Sequence, residues 1–328
     1  MGAEMERISL MKLLILTQKV DRDDPTLGFF HRWIEECAKH CERVTVICLQ
    51  KGKHNLPENV RVLSLGKEEN ASRLRYLGRL YRYVWNEQKN YDAVFVHMNP
   101  EYIVLCGLLW RILGKKIGLW YVHKSVTLKL RLATLLTHRI FTASLESFRL
   151  RSAKVSITGH GIDTDFFTPD VHVAREQHVL SVGRLSKIKR HDLAIQATAL
   201  AKRELRIVGE GPERGNLESL AQKLGARALF LGGLTQTQLR DEYRKAAYLV
   251  HASETGSLDK VVIEALATDL AVITTADTYK NFPVRAVGAT PESVADALGV
   301  QRENSDRVTI IRENHSLQRL IPAIMSSL

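Results

Sequence analysis

Short apolar runs rich in β-branched residues alternate with longer helix-like stretches along the chain, and this alternation limits the fold more than any other feature. Such runs, separated by helix-length segments, predict parallel strands joined by crossover helices. In the first half we predict strands at 12–16, 44–49, 93–97, 117–122 and 140–143. In the second half we predict strands at 179–182, 205–208, 229–231, 248–252 and 272–274. Two doubly wound α/β domains are therefore expected.

The length of the chain agrees with two domains. At 328 residues and 37.1 kDa it is about twice the size of a typical single domain. The strand rhythm stops at Gly159-His160-Gly161-Ile162-Asp163 and Pro169, a segment typical of a linker. We expect a first Rossmann-like domain at 1–165, a second at 166–312, and a C-terminal helix within 313–328 that packs back on the first domain.

Positive charge is concentrated in one quarter of the chain. The formal net charge is +11, and residues 71–154 alone contain 15 Lys or Arg against 4 Asp or Glu. Such a block predicts an anionic partner: nucleic acid, a phospholipid surface or a phosphorylated substrate. Two basic segments within it, 73–82 and 124–139, mix Leu and Tyr with Lys and Arg as interfacial helices do. The alternative is that they are solvated helices of a soluble protein.

Membrane-spanning and disulfide-bonded classes are not expected. The longest run free of charged or polar residues, 102–110, is about half of what a helix needs to cross a bilayer. No secretory signal is recognised, so a cytoplasmic location is expected. Four cysteines lie in apolar surroundings without a CxxC pair and are expected to be reduced core residues: Cys37, Cys41, Cys48 and Cys106.

Two strand-to-helix turns in the second half carry cations and glycines. Arg184 follows the strand 179–182, and Lys189 lies five residues later, before a predicted helix. Ligands of open α/β sheets bind at the carboxyl ends of strands, so both cations are expected in a ligand crevice, where they suit a diphosphate. The alternative for 187–190 is a solvated basic turn. The second turn, Val208-Gly209-Glu210-Gly211-Pro212, is a weak signal by itself.

A loop of small residues at 253–257 precedes a predicted helix that begins near Leu258, with Ser257 as its N-cap. The free amides of that helix start predict an anion site. Glu264 lies nearly two turns into the helix among apolar residues, where a carboxylate needs a partner, and a ribose diol would serve. The alternative is a glutamate that reaches the helix surface.

These motifs together resemble glycosyltransferase family 4, the retaining sugar transferases of GT-B fold. The residues that carry the resemblance are Gly183-Arg184-Leu185-Ser186 with Lys189, the turn 208–212, and Thr255-Gly256-Ser257 through Glu264-Ala265. The loop 24–30 and the segment 159–169 also match the family. The resemblance implies two Rossmann-like domains that face each other across a cleft. Arg184, Lys189 and the helix start at Ser257 would stabilise the departing diphosphate without a metal, and no cofactor is expected.

The resemblance also implies roles for single residues. Arg184 and Lys189 would grip the donor diphosphate, Glu264 would bind the nucleotide ribose, and Gly28 would lie beside the donor phosphates. The donor-binding set that it implies is Gly28, Gly183, Gly209, Gly211, Gly256, Ser257, Asp259, Lys260, Val261, Val262 and Glu264. One departure concerns the usual pair of glutamates separated by seven residues, because the first position is Gly256 here. The backbone of Gly256 and Ser257, Glu254, and Asp259 are the alternatives for its contact with the sugar.

The first domain is expected to provide the acceptor side of the site. His123 follows the predicted strand 117–122, where an imidazole could orient the sugar or the acceptor hydroxyl, and the alternative is a structural histidine. His97 is a weaker candidate. Asp21-Arg22-Asp23 has the letters of a metal-binding DxD motif but is interpreted as a solvated turn.

We therefore expect a retaining, hexosyltransferase-type enzyme that moves a sugar from a nucleoside-diphosphate sugar to a saccharide or lipid-linked hydroxyl in polysaccharide or glycolipid synthesis. An anionic membrane surface, contacted through residues 71–154 at the inner face, is the expected further partner. The alternatives are a GT-B sugar-nucleotide epimerase or phosphorylase. A basic nucleic-acid-binding protein is disfavoured because no RNA or DNA module is recognised.

Overall fold

Parallel strands with crossover helices build both halves of the chain, as the alternation predicts. The computed structural model describes residues 11–301 and 306–328. The chain divides into two units, the first formed by Met1–Thr158 with Gln318–Leu328 and the second by Gly159–Leu317.

The first unit contains a seven-stranded parallel sheet in the order β3-β2-β1-β4-β5-β6-β7. Its strands are β1 (Met11–Val20), β2 (Cys41–Lys51), β3 (Val60–Ser64), β4 (Ala93–His97), β5 (Lys116–Trp120), β6 (Arg139–Thr142) and β7 (Val155–Ile157). Its helices are α1 (Phe29–Lys39), α2 (Arg73–Asn86), α3 (Pro100–Ile112) and α4 (Leu128–Leu136). The helices α2, α3 and α4 share one core cluster with residues of β1, β4 and β5, including Leu14, Val94 and Ile117.

The second unit contains a six-stranded parallel sheet in the order β10-β9-β8-β11-β12-β13. Its strands are β8 (Val179–Val182), β9 (Leu205–Val208), β10 (Ala228–Gly232), β11 (Tyr248–His251), β12 (Ala271–Thr274) and β13 (Arg285–Ala286). Its helices are α5 (His191–Leu200), α6 (Arg214–Lys223), α7 (Gln236–Lys245), α8 (Lys260–Ala267), α9 (Pro291–Gly299) and α10 (Arg307–His315). Two core clusters, one with α7, α8 and α10 and the other with α5, α6 and α9, cover the two faces of this sheet.

Both sheets have the strand order of a doubly wound fold. The chain order reverses between β1 and β4 in the first sheet and between β8 and β11 in the second. At such a switch point the two crossover helices lie on opposite faces, which leaves a crevice at the carboxyl ends of the two strands. The second reversal lies where the sequence predicts a ligand.

The observed division of the chain lies at 158/159, seven residues before the expected boundary at 165/166. Backbone hydrogen bonds between the segment around Ile162 and the end of α10 explain the difference. Ile162 donates its amide to the carbonyl of His315 at 2.7 Å, and Leu317 donates its amide to the carbonyl of Ile162 at 2.7 Å. These bonds tie 159–165 to the second unit.

The terminal helix α11 (Leu317–Ser327) lies within the expected segment 313–328, and 307–315 forms the separate helix α10. Residues 318–328 group with the first unit. There the Met325 sulfur lies 3.8 Å from the Cys41 sulfur.

The four cysteines are free and buried, as the sequence predicts. Burial raises the pKa of Cys41 to about 11 and that of Cys48 and Cys106 to about 12. These thiols are therefore protonated at neutral pH and are poor nucleophiles. None of the helices described at 11–301 and 306–328 is long and apolar enough to cross a membrane.

Candidate functional site

The loops that follow β8 and β11 meet at the switch point of the second sheet. Arg184 lies two residues beyond β8, and Lys189 ends the short 3₁₀ turn Lys187–Lys189. The Glu254 amide, in the loop after β11, donates to the Ile188 carbonyl at 2.9 Å and so joins the two loops. The local structure therefore brings the two predicted cations to one edge of the sheet.

Arg184 is exposed, and its guanidinium forms no ion pair with any described residue. Lys187, in the same turn, is exposed as well. Lys189 differs from both, because its ammonium lies 2.6 Å from Asp259 Oδ2. Arg184 is thus a cation that an incoming anion can contact without breaking an existing ion pair.

Asp259 is the centre of a buried polar network. Its Oδ2 accepts from Lys189 and lies 2.9 Å from Nε2 of His251, the last residue of β11. Nδ1 of His251 lies 3.1 Å from Thr274 Oγ1 at the end of β12. The Asp259 amide donates to the Tyr279 hydroxyl at 2.5 Å. Lys189 is therefore held by Asp259, whose carboxylate is connected through His251 and Thr274 to two neighbouring strands.

The charge state of Asp259 follows from this network. Burial alone would raise the pKa of its carboxyl, but the hydrogen bond from His251 and the charge and hydrogen bond of Lys189 outweigh burial. The pKa is therefore held well below its usual range, and Asp259 is ionised at neutral pH.

Glu264 is buried, with 1% of its surface exposed, and has two partners on its own side of the sheet. Its Oε1 lies 2.8 Å from the Lys260 ammonium one turn earlier in α8, and its Oε2 accepts from the Tyr243 hydroxyl of α7 at 3.2 Å. The alternative of a glutamate at the helix surface is therefore wrong. The protein itself supplies the partners that a buried carboxylate needs, so the ribose contact stays a prediction.

The helix α8 begins at Lys260 with Asp259 at its N-cap position, two residues later than expected. The prediction that Ser257 caps this helix is wrong. The physical reason is that Tyr279 and the network around Asp259 hold the chain at 259 and keep the residues before it out of the helix. In the described part of the chain, the amides of Gly256, Ser257 and Val261 have no hydrogen-bond acceptor. The start of α8 is thus open to an anion.

The glycines of the two turns are required by the local backbone, whether or not a ligand is bound. Gly183 and Gly209 have φ of +152° and +136°. A Cβ at Gly209 would overlap the Gly183 carbonyl, and one at Gly211 would overlap the Leu185 carbonyl. Gly209 and Gly211 therefore allow the loop after β9 to pack against the loop after β8, and their contact with a donor stays a prediction.

In the first unit, Gly28 is buried at the N-cap position of α1, where its amide donates to the Asp24 carbonyl at 2.9 Å. His123 lies three residues beyond β5 and is exposed, and its Nδ1 accepts the Ser125 amide at 3.1 Å. His97 is a core residue, because its ring stacks on Phe30 at 4.0 Å and its Nδ1 lies 3.3 Å from Thr17 Oγ1. His123 therefore remains the histidine with access to a ligand at this edge.

The segment 21–23 forms a turn after β1 in which both carboxylates contact basic side chains. Asp21 lies 3.4 Å from the Lys19 ammonium, and Asp23 lies 3.6 Å from Arg22 and 3.5 Å from Lys53. Among the described residues, no three His, Cys, Asp or Glu side chains are grouped so that they could hold a metal ion.

Sequence reasoning missed three residues of this site: His251, Tyr279 and Tyr243. His251 gave one signal that could have been used, since it is a polar residue at the end of the otherwise apolar strand β11. The tyrosines gave no such signal, because they lie far from their partners in sequence. Tyr243 reaches Glu264 from α7, and Tyr279 reaches Asp259 from the segment after β12.

Residues 165–283 match the family model described as "Glycosyl transferases group 1". In sequence, the D-inositol 3-phosphate glycosyltransferase of Mycobacteroides abscessus is 35% identical over 162 residues, which is 44% of this chain and 34% of that protein. The protein of the same name from Mycobacterium tuberculosis is 30% identical over 163 residues, 44% of this chain and 32% of its own length. The chain thus spans about a third of the length of these curated relatives.

Solved structures match over almost the whole chain. Anabaena Alr3699/HepE in complex with UDP and glucose has a TM-score of 0.75 and 18% identity, over 97% of this chain and 100% of that one. WaaG, a glycosyltransferase involved in lipopolysaccharide biosynthesis, has a TM-score of 0.66 and 14% identity, over 96% and 98%. The predicted GT-B fold is confirmed by these structures. The resemblance to glycosyltransferases is confirmed as a match of residues 165–283 to the group 1 family model, while assignment to family 4 stays a prediction.

Proposed function

We propose that this chain, which carries a glycosyl transferases group 1 domain at residues 165–283, is a retaining hexosyltransferase. It would move a sugar from a nucleoside-diphosphate sugar to a hydroxyl of a saccharide or lipid-linked acceptor. The proposal depends on one observation: the loops at the carboxyl edge of the second sheet bring Arg184 and Lys189 to the start of α8. The buried Glu264 lies one turn further along that helix.

The chemistry needs stabilisation of the charge that develops on the diphosphate as the sugar–phosphate bond breaks. Arg184 can form a bidentate contact with phosphate oxygens, because its guanidinium has no partner to give up among the described residues. The amides of Gly256, Ser257 and Val261 would add fixed dipoles. Each well-placed donor of this kind accounts for about 3 kcal/mol of the barrier.

Lys189 would act as a second cation that is already in position. Asp259 and His251 fix its ammonium before the donor binds, so little side-chain freedom is lost on binding. The cost is that Asp259 neutralises part of the charge. We therefore assign the larger share of diphosphate binding to Arg184 and a smaller share to Lys189.

Glu264 would bind the ribose through the oxygens that Lys260 and Tyr243 hold in place. A carboxylate with two partners retains free lone pairs and can accept from a diol. Lys260 and Tyr243 would then be positioning residues for the ribose contact. His123, the exposed histidine of the first unit, would orient the sugar or the acceptor hydroxyl.

We propose uridine as the base, since the solved Anabaena HepE structures contain UDP and UDP-glucose. A thermal-shift panel of uridine, guanosine, adenosine and cytidine diphosphates tests the donor site, because a bound nucleotide raises Tm with ln(1 + [L]/Kd). We expect uridine diphosphate to raise Tm well above the other three, and a larger shift with another base would contradict the choice of uridine. Equal shifts, or none, would contradict the assignment of the site.

Acceptor-dependent release of the nucleoside diphosphate separates a transferase from an epimerase or a phosphorylase. A transferase releases it in proportion to the acceptor consumed, an epimerase changes the donor alone, and a phosphorylase needs phosphate. NMR of the anomeric proton of the product tests retention. Activity that survives chelation of divalent ions tests the proposed independence from metal.

The basic block at 71–154 favours an anionic acceptor or an anionic membrane surface. We therefore propose that the enzyme is cytoplasmic and that it binds peripherally to the inner face of the membrane.

A further inference from the structure

Three helices of the first unit leave large apolar side chains uncovered. Helices α2, α3 and α4 bury one side in a common core, through residues such as Leu80, Cys106 and Ala133. The opposite side of each helix therefore points away from the sheet. Ten large apolar residues on these helices are exposed: Leu74, Tyr81, Trp85, Val104, Leu105, Leu108, Ile112, Leu128, Leu132 and Leu135. We call this surface the outer helix face.

The residues of the outer helix face follow helical spacing. On α3, Val104, Leu108 and Ile112 are four residues apart, and their exposed fractions are 36%, 65% and 74%. On α4, Leu128 and Leu135 are 72% and 71% exposed. A helix of a soluble monomer usually carries polar residues at such positions. The regular spacing indicates a continuous apolar stripe on each helix and not scattered surface residues.

Contacts between the helices join the stripes into one surface. The Tyr81 hydroxyl of α2 donates to the Leu105 carbonyl of α3 at 3.0 Å. The Lys129 ammonium of α4 lies 3.0 Å from Glu101 of α3. A Cβ on Gly107 of α3 would lie within 2.9 Å of Leu136 of α4, so these two helices approach each other closely.

The charges on these three helices are almost all positive. They carry seven basic residues, Arg73, Arg75, Arg79, Arg82, Arg111, Lys129 and Arg131, and one acidic residue, Glu101. Long basic side chains can lay their carbon stems along an apolar surface and keep their charges in the layer of lipid headgroups. Tyr81 and Trp85 are amphipathic rings of the kind that membrane interfaces favour.

We propose that the outer helix face binds the anionic surface of a phospholipid bilayer, with the apolar stripes of α3 and α4 in the headgroup–acyl boundary and the exposed residues Arg73, Arg75, Arg82 and Arg131 on lipid phosphates. A second copy of the chain does not fit this face, because two surfaces of the same strong positive charge would repel. The inference gives a location to the membrane contact of the proposed function. It does not depend on sugar transfer, since vesicle binding can be measured without a donor.

Co-sedimentation of the full chain with vesicles tests the proposal. We expect binding to phosphatidylcholine vesicles that contain phosphatidylglycerol and little binding to phosphatidylcholine alone. The double variant Leu108→Ser/Ile112→Ser is expected to weaken binding by about tenfold or more, because each apolar side chain that enters the interface contributes to partitioning. Arg75→Gln/Arg131→Gln is expected to weaken binding by a similar factor and to lower its dependence on salt.

Matched controls lie on the second unit. Leu200 and Lys223 are also exposed, so Leu200→Ser and Lys223→Gln remove an exposed leucine and an exposed positive charge outside the outer helix face. Both controls are expected to bind like the parent protein. Leu128→Ser gives a second test of the apolar contribution should the double variant fail to fold.

Trp85 provides a spectroscopic test. It is 56% exposed, while Trp33, Trp110 and Trp120 are at most 2% exposed. Insertion should therefore shift the emission of Trp85 to the blue when anionic vesicles are added, and Trp85→Phe should remove the shift. No binding to anionic vesicles would overturn the proposal, as would a dimer that Leu108→Ser/Ile112→Ser dissociates. Binding that the basic variants weaken and the apolar variants leave unchanged would overturn the insertion of α3 and α4.

Discussion

The two units of the chain have the same strand order around their switch points, but the chemistry at the two carboxyl edges differs. In the first unit, the charged and buried groups at this edge are paired within the protein: Lys19 pairs with Asp24 at 2.6 Å, and His97 is enclosed by aromatic rings. His123 is exposed there but is a histidine and not a permanent cation. In the second unit, Arg184 and the amides at the start of α8 are left open within the described structure. A doubly wound topology therefore provides a crevice, and the side chains decide whether that crevice can bind an anion.

The difference between the edges predicts that the largest loss of activity comes from Arg184→Ala. We expect kcat/KM to fall by about 100-fold or more, because one donor to the developing charge is worth about 3 kcal/mol. Thermal stability should not change, since the side chain is exposed and unpaired among the described residues. Lys187→Ala is the matched control in the same turn and should retain activity. Unchanged activity in both variants would support a solvated basic turn, and equal loss in both would contradict a specific role for Arg184.

Lowering the pH is expected to reduce the free energy of unfolding of the second unit more than that of the first. Three buried histidines of the second unit, His160, His191 and His315, have their pKa lowered to about 4, chiefly by burial. The unfolded chain takes up these protons near pH 6.5, so the stability they contribute is full above that pH and is lost as pH falls toward 4.

His160→Gln tests this pH dependence. The parent protein should lose up to about 3 kcal/mol for each such histidine between pH 6.5 and 4, at 1.4 kcal/mol per unit of pKa difference. The variant should lose less over the same range. Chemical denaturation at a series of pH values measures both, and identical slopes would contradict the assignment of His160.

The Lys189–Asp259 pair is expected to have an intermediate effect. In a double-mutant cycle of Lys189→Met and Asp259→Asn, we expect a coupling energy of about 1–2 kcal/mol in the free energy of unfolding, because both side chains are largely buried. Asp259→Asn should also raise the Kd of the nucleoside diphosphate if preorganisation of Lys189 matters more than its neutralisation. An unchanged Kd would assign the diphosphate to Arg184 and the amides alone, and a lower Kd would show that neutralisation of Lys189 by Asp259 outweighs its preorganisation.

The smallest effect is expected for Glu254→Gln. Glu254 pairs with Arg190 at 2.5 Å, but its side chain is 58% exposed, and exposed pairs contribute about 0.5 kcal/mol or less. We expect almost no change in stability and little change in activity. A large loss of kcat would instead indicate that Glu254 makes the sugar contact for which the usual family glutamate is replaced by Gly256.

The sequence predicts the central strands of both sheets well, because they are buried on both faces and are therefore continuous apolar runs. The predicted strands 93–97, 179–182 and 205–208 have the observed bounds. Three strands were missed: β3, β7 and β13. They lie at the sheet edges. β7 and β13 have only three and two residues, too few for a recognisable apolar run. β3 has five residues, but none of them is fully buried, so it lacks the continuous apolar character of a central strand.

The local order of residues by itself determined the doubly wound class, the loops that carry Arg184, Lys189 and Glu264, and the concentration of positive charge at 71–154. Periodicity, turn residues and charge are properties of neighbouring positions, so they can be recognised without coordinates. Only the tertiary structure decided that His251 and Asp259 hold Lys189, that Lys260 and Tyr243 hold Glu264, and that the apolar run at 102–110 has one side exposed. These facts depend on contacts between elements distant in sequence and on which side of each helix the sheet covers.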